Sequence, residues 1–139
     1  VTGLLGYKLK KTQHALRLKM DELLLTLNLT TPQYAVLAQI ELHPGISNAA
    51  LARLAFITPQ TMHGIVSHLE KRKLIKREND PQHGRILQTK ITVEGKKIVQ
   101  KAHALIAETE MRMTKSLSQE KRILLEQLLL ECFDNLQKN

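Results

Sequence analysis

Ser47-Asn48-Ala49-Ala50-Leu51-Ala52-Arg53-Leu54-Ala55-Phe56-Ile57-Thr58-Pro59-Gln60-Thr61-Met62-His63-Gly64-Ile65-Val66-Ser67-His68-Leu69-Glu70 is the stretch that decides the fold. Ser47 is a favoured N-cap, and Leu51, Leu54 and Ala55 follow it at helical spacing. Thr58-Pro59 signals a second helix start: a hydroxyl to cap free N–H groups, then a proline where no N–H is needed. In the second helix Met62, Ile65, Val66 and Leu69 make one apolar stripe. Gln60, Thr61, His63, Gly64, Ser67 and Lys71 fall on the other side. A short helix, a tight turn and a second helix with one slender polar side meet the requirements of a helix-turn-helix. Its second helix must enter a groove about 12 Å wide and present hydrogen-bonding tips to base edges.

Beyond this pair, Lys71-Arg72-Lys73-Leu74 leads into two short β-prone runs, Ile75–Asn79 and Ile86–Thr92, around a turn containing Pro81 and Gly84. The turn carries Arg85. A basic hairpin beside a helix-turn-helix is a wing.

From about Leu29 to Gly95 the chain resembles the winged-helix core of the MarR (multiple-antibiotic-resistance-regulator) family of transcription regulators. The resemblance is carried by Leu29-Thr30-Thr31-Pro32-Gln33-Tyr34-Ala35-Val36-Leu37, by the Leu51–Leu74 helix pair, and by the wing from Arg85 to Ile91-Thr92-Val93-Glu94-Gly95. The flanking helices fit as well, so it extends over essentially the whole chain. Two positions depart: His83 stands where the family usually has an acid two residues before the wing arginine, and Phe56 stands where glycine is common. The resemblance implies intertwined terminal helices in a homodimer, and a wing arginine, here Arg85, in the minor groove, where a narrow A·T-rich groove attracts a guanidinium. It further implies a regulator, commonly a repressor, released from DNA by a small aromatic or anionic ligand between the dimer helices and the reading head. Tyr7, His14, Arg17 and Tyr34 could lend polar tips to such a pocket, but core or surface roles are the better reading of each.

Composition points the same way. The 139 residues fit one domain, and 21 Lys and Arg against 13 Asp and Glu give a net charge of +8, which favours a polyanionic partner. Between Ser47 and Thr92 eight basic residues face three acidic ones, whereas from Val93 onward eight face seven and nearly cancel. The positive field therefore belongs to the reading head. No apolar run has the length of a membrane span and no secretory signal is evident, so the cytoplasm is the expected compartment.

Toward the ends, residues from about Leu4 to Leu27 read as one helix, with Leu9, Leu16, Met20, Leu23, Leu24 and Leu27 on one stripe and Leu18 and Leu25 off it. Thr31-Pro32 starts the next helix, and His43-Pro44-Gly45 stops it. Gly95 to about Lys115 is expected to be helical, with Ile98, Ala102, Leu105, Ile106, Thr109 and Met113 on one face. A last helix, capped by Ser118, carries Leu125, Leu128, Leu129, Cys132, Phe133 and Leu136 as its stripe, with Ile123, Leu124 and Leu130 outside it. Both ends thus hold more apolar surface than one small domain covers, the signature of a homodimer. The expected fold is mainly α with a small β wing: a winged helix-turn-helix core over residues 30–92 between dimerisation helices over 1–29 and 93–139.

Gln60, Thr61, His63, Gly64 and Ser67 are the expected major-groove residues. Gln60 is the best single reader, because a carboxamide can pair bidentately with adenine. Gly64 lets the helix sit close to the DNA. Lys76, Arg77 and Lys90 are expected at phosphates. The alternative is a winged-helix protein-interaction module with no DNA role. Enzyme chemistry lacks its parts: the glycines are isolated, and there is no clustered carboxylate pair or nucleophile elbow. The six histidines are scattered, His63 and His68 being five apart, so neither metal nor cofactor is expected. Cys132, the single cysteine, excludes an internal disulfide and reads as a small core residue.

Overall fold

A computed structural model describes residues 3–82 and 87–138. Helix α1 (Leu5–Leu24) continues into a 3-10 turn over Leu25–Leu27, followed by α2 (Thr31–Leu42), α3 (Asn48–Ala55) and α4 (Pro59–Lys71). Strands β1 (Ile75–Asn79) and β2 (Leu87–Ile91) come next, then α5 (Val93–Met113) and α6 (Gln119–Gln137). The architecture is the winged helix-turn-helix expected from the sequence, mainly helical with an antiparallel two-stranded wing pairing Ile75 with Ile91 and Asn79 with Leu87.

Local chemistry sets the boundaries. Ser47, Thr58, Thr92 and Ser118 each cap the helix they precede, accepting from the backbone N–H three residues on. Thr92 moves the start of α5 two residues ahead of the expected Gly95. At α2 the cap is Thr30, one residue before the expected Thr31. Thr30 accepts from the Gln33 N–H while the Gln33 side chain accepts from the Thr30 N–H, a reciprocal capping box. The Thr31 hydroxyl is thereby released to donate to Asp21 on α1, and this bond holds the Asp21 carboxyl below its ordinary range. The first helix stops short of the expected Leu27 because the chain tightens into the 3-10 turn and then turns left-handed at Asn28 (φ 55°).

One core joins the elements. Leu24, Leu29, Val36, Leu37, Ile40, Leu51, Met62, Val66, Leu69, Ile75 and Val99 are at most 2% exposed, each such aliphatic side chain contributing roughly 1.5–3 kcal/mol by burial. On α5 the buried face runs through Gly95, Val99, Ala102, Ile106 and Thr109. Val99 was not among the expected residues, and Met113, which was, is exposed. The core holds α3 and α4 against α2 and fixes the outward side of α4.

Helix α6 contributes nothing to this core. It has no buried residue, and only Leu125 is even half-buried. Both its expected stripe and the residues outside it stand open: Ile123, Leu124, Leu128, Leu129, Leu130, Phe133 and Leu136 are all exposed. Cys132 is exposed too, which corrects its reading as a core residue within the protomer. A gap of about 430 Å³ separates α6 from α1 and α5, lined by Leu16, Met111, Leu125 and Leu129 among others.

Candidate nucleic-acid interface

Helix α4 is built to present one side. Met62, Val66 and Leu69 are buried beneath it, which leaves Gln60, Thr61, His63 and Gly64 exposed and Ser67 half-exposed. The five expected groove residues therefore share the solvent side of one helix. Thr58 fixes the leading end: its hydroxyl accepts from the Thr61 N–H and also donates to the Thr61 hydroxyl at 3.0 Å. No side chain is needed at Gly64, and a Cβ there would meet nothing within 4 Å on the protein side. The open space at that position lies outward, on the exposed side of the helix.

The wing is charged on two faces with different fates. Lys76 and Lys90 are direct cross-strand partners, an arrangement of like charges that is unfavourable by itself. Glu78 relieves it, lying 3.0 Å from the Lys76 ammonium and 3.7 Å from that of Lys90. The two lysines hold the Glu78 carboxyl below its ordinary range, Lys76 more than Lys90. Both lysines remain well exposed.

Arg77, the third cation expected at a phosphate, points the other way. Its guanidinium donates to Glu70 of α4 at 2.8 Å, and its side chain is only 19% exposed. The pair pushes the Glu70 carboxyl down and the Arg77 guanidinium up, in both cases mainly through that hydrogen bond. Arg77 is thus a brace between wing and recognition helix. Arg85 and His83 lie outside the described residues.

Sequence patterning missed two further polar contacts. Arg72, one of the cations counted in the positive field, turns inward to the carbonyls of Leu27 and Asn28. Tyr34 of α2 bonds His103 Nδ1 of α5 at 2.7 Å. His103 Nε2 reaches Glu41 at 2.9 Å, and Gln100 donates to the other oxygen of the same carboxylate. Burial, then the Glu110 and Glu41 charges, pushes the Tyr34 phenol above its ordinary range. Arg17 pairs with Asp21 along α1.

Between α1 and α5 lies an open groove of about 350 Å³, lined by Thr12, Leu16, Lys19, Thr109, Arg112 and Met113 among others. It combines two cations and two hydroxyls with aliphatic walls. Among the described residues no group of three His, Cys, Asp or Glu side chains is placed to hold a metal ion, and no helix is long and apolar enough to cross a membrane.

Residues 27–86 match the sequence profile of the MarR family. Over 109 residues, 78% of each chain, the protein is 32% identical to HTH-type transcriptional repressor Rv2887 of Mycobacterium tuberculosis. It is 34% identical to transcriptional regulator HosA of Escherichia coli O157:H7 over 102 residues, covering 73% of this chain and 76% of HosA. The fold superposes on the transcriptional repressor CouR bound to a 23-mer DNA duplex with a TM-score of 0.86 at 26% identity, covering 95% of this chain and 96% of CouR. It superposes on Rv2887 in complex with salicylic acid with a TM-score of 0.78 at 28% identity, covering 94% and 96% of the two chains. The chain belongs to the MarR family of DNA-binding transcription regulators.

Proposed function

We propose that the protein is a repressor that acts as a homodimer on a pseudo-palindromic duplex, with one α4 in each of two successive major grooves. The observation that carries this is the exposed polar side of α4 on its buried Met62-Val66-Leu69 base. Such a helix is rigid enough to read base edges. Gln60, Thr61, His63, Gly64 and Ser67 face the bases, and Lys76 and Lys90 exchange Glu78 for phosphates. The family resemblance assigns Arg85 to the minor groove. Residues 30–92 form the DNA-binding core, and 1–29 and 93–139 are dimerisation helices. The uncovered apolar surface of α6 is the principal support for the dimer, since exposed apolar surface on this scale marks an interaction site. Action in the cytoplasm of a bacterial or archaeal cell follows from the same reading.

A small aromatic acid is the proposed effector, seated in the α1–α5 groove with its carboxylate toward Lys19 and Arg112. The salicylic acid complex of Rv2887 supports the ligand class. Fluorescence anisotropy with duplexes from the region upstream of the gene, at two salt concentrations, tests the whole scheme. Binding should weaken steeply with salt and favour one duplex over random sequence by at least about 10³-fold. Salicylate should release the wild type and leave Arg112→Ala bound. Equal affinity for every duplex, or none, would favour the protein-interaction module instead.

A further inference from the structure

The turn that ends the recognition helix, Arg72–Leu74, is gripped by both dimerisation arms. From the first arm, the backbone carbonyls of Leu27 and Asn28 accept from Arg72, the former at 3.3 Å from Nη2 and the latter from Nη1. These carbonyls close the 3-10 turn at the end of α1, where helix carbonyls lack internal partners and the helix dipole is negative. From the second arm, the N-cap Thr92 of α5 donates its hydroxyl to the Lys73 carbonyl at 2.7 Å and its N–H to the Leu74 carbonyl at 3.0 Å. Gly95 of α5 packs against that Leu74 carbonyl. Among the described residues, no other side-chain hydrogen bond or ion pair joins α1 or its 3-10 turn to α4 or its C-terminal turn.

Given a dimer that reads two half-sites, the distance and angle between the two copies of α4 must match the duplex. The core that holds α4 against α2 carries part of that geometry, and this turn is the direct polar link between the arms and α4. We propose that Arg72 is a positioning residue for DNA recognition, tying the recognition helix to the first arm and so setting the half-site spacing the dimer accepts. The inference rests on α4 being the DNA-reading helix of a homodimer. It separates Arg72 from its exposed neighbours Lys71 and Lys73, which can reach phosphate while the Arg72 guanidinium is held by protein carbonyls. Lysine cannot reproduce the planar fork that spans two carbonyls.

The test uses the full-length protein and a duplex selected from a random library, then lengthened or shortened by one base pair at its centre. One base pair shifts the half-sites by about 3.4 Å and about 34°, so the wild type should lose at least about tenfold. Arg72→Met should flatten the profile to within about threefold, and Arg72→Lys should fall between. Lys71→Met, the control, should lower affinity equally at all spacings. A wild type that binds no duplex overturns the DNA reading and this inference with it. A sharp wild-type optimum that Arg72→Met retains, with or without a uniform loss, overturns the inference alone. A second measurement needs no DNA: spin labels at His68→Cys in a Cys132→Ser background report the distance between the two copies of α4. The distribution should broaden in Arg72→Lys, and more in Arg72→Met if that variant folds. An unchanged distribution in Arg72→Lys and Arg72→Met overturns the proposal.

Discussion

Replacing Gly95 with alanine pits helix propensity against packing, and the two effects have opposite signs. Alanine is favoured over glycine inside a helix by roughly 1 kcal/mol, so α5 considered alone should gain. A Cβ at residue 95, however, would stand 2.1 Å from the Leu74 carbonyl oxygen, 2.7 Å from Ile91 Cγ1 and 3.0 Å from the Leu74 carbonyl carbon. Two of these three atoms are backbone, so relief requires α5 to move away from the α4–β1 junction. Overpacking of this kind costs about 1–3 kcal/mol, and a clash with backbone belongs at the upper end. The net expectation is a loss of about 2 kcal/mol. For a chain of this length that lowers Tm by about 7 °C. Thermal and urea denaturation should be measured at one fixed protomer concentration, because dimerisation makes Tm concentration-dependent. A variant as stable as the wild type, or stabilised by the roughly 1 kcal/mol that propensity alone offers, would refute the close approach of α5 to Leu74.

Thr89→Val should stabilise the protein by about 1 kcal/mol, read from the urea midpoint, because Thr89 is 1% exposed and its hydroxyl has no hydrogen-bond partner among the described residues; a clear loss would mean that the hydroxyl is satisfied. Glu70 should contribute stability that depends on pH. Its folded pKa is depressed by Arg77, so the contribution is complete above the ordinary carboxylate value of 4.5 and fades as the pH falls through the lower folded value. Solvent screening limits it to at most about 1 kcal/mol. The stability difference between wild type and Glu70→Gln should shrink on acidification from pH 7 to about pH 3, and a constant difference would remove the brace. Deleting residues from Ser118 onward should abolish the dimer in sedimentation while leaving the helical content of the remaining chain, because α6 has no buried residue; a truncated dimer would show that α6 is not the interface.

Much of the fold was legible because its signals are local. Ser47, Thr58 and Ser118 are caps that act within three residues, and the Met62-Ile65-Val66-Leu69 stripe named the buried side of α4. The errors in boundary have local causes too: Gln33 completes a capping box with Thr30, and Asn28 accepts a left-handed conformation that ends the first helix. What escaped was long-range pairing. Arg72 and Asn28 are 44 residues apart and Tyr34 and His103 are 69 apart, and no periodicity connects either pair. Arg77 looked like any wing cation until the fold turned it toward Glu70, while Lys76, one residue earlier, faces solvent by strand alternation. For α6 the sequence disclosed excess apolar surface, but stripes alone could not divide a helix that buries no residue in the protomer.

Whether α4 reads DNA sequence is decided by measuring Gln60→Ala against the wild type on the selected duplex and on random DNA at one salt concentration. The expected loss is roughly 1–3 kcal/mol on the selected duplex, about 5- to 150-fold in affinity, with almost no change on random DNA. Equal losses on both duplexes, or no loss on either, would contradict sequence reading by α4.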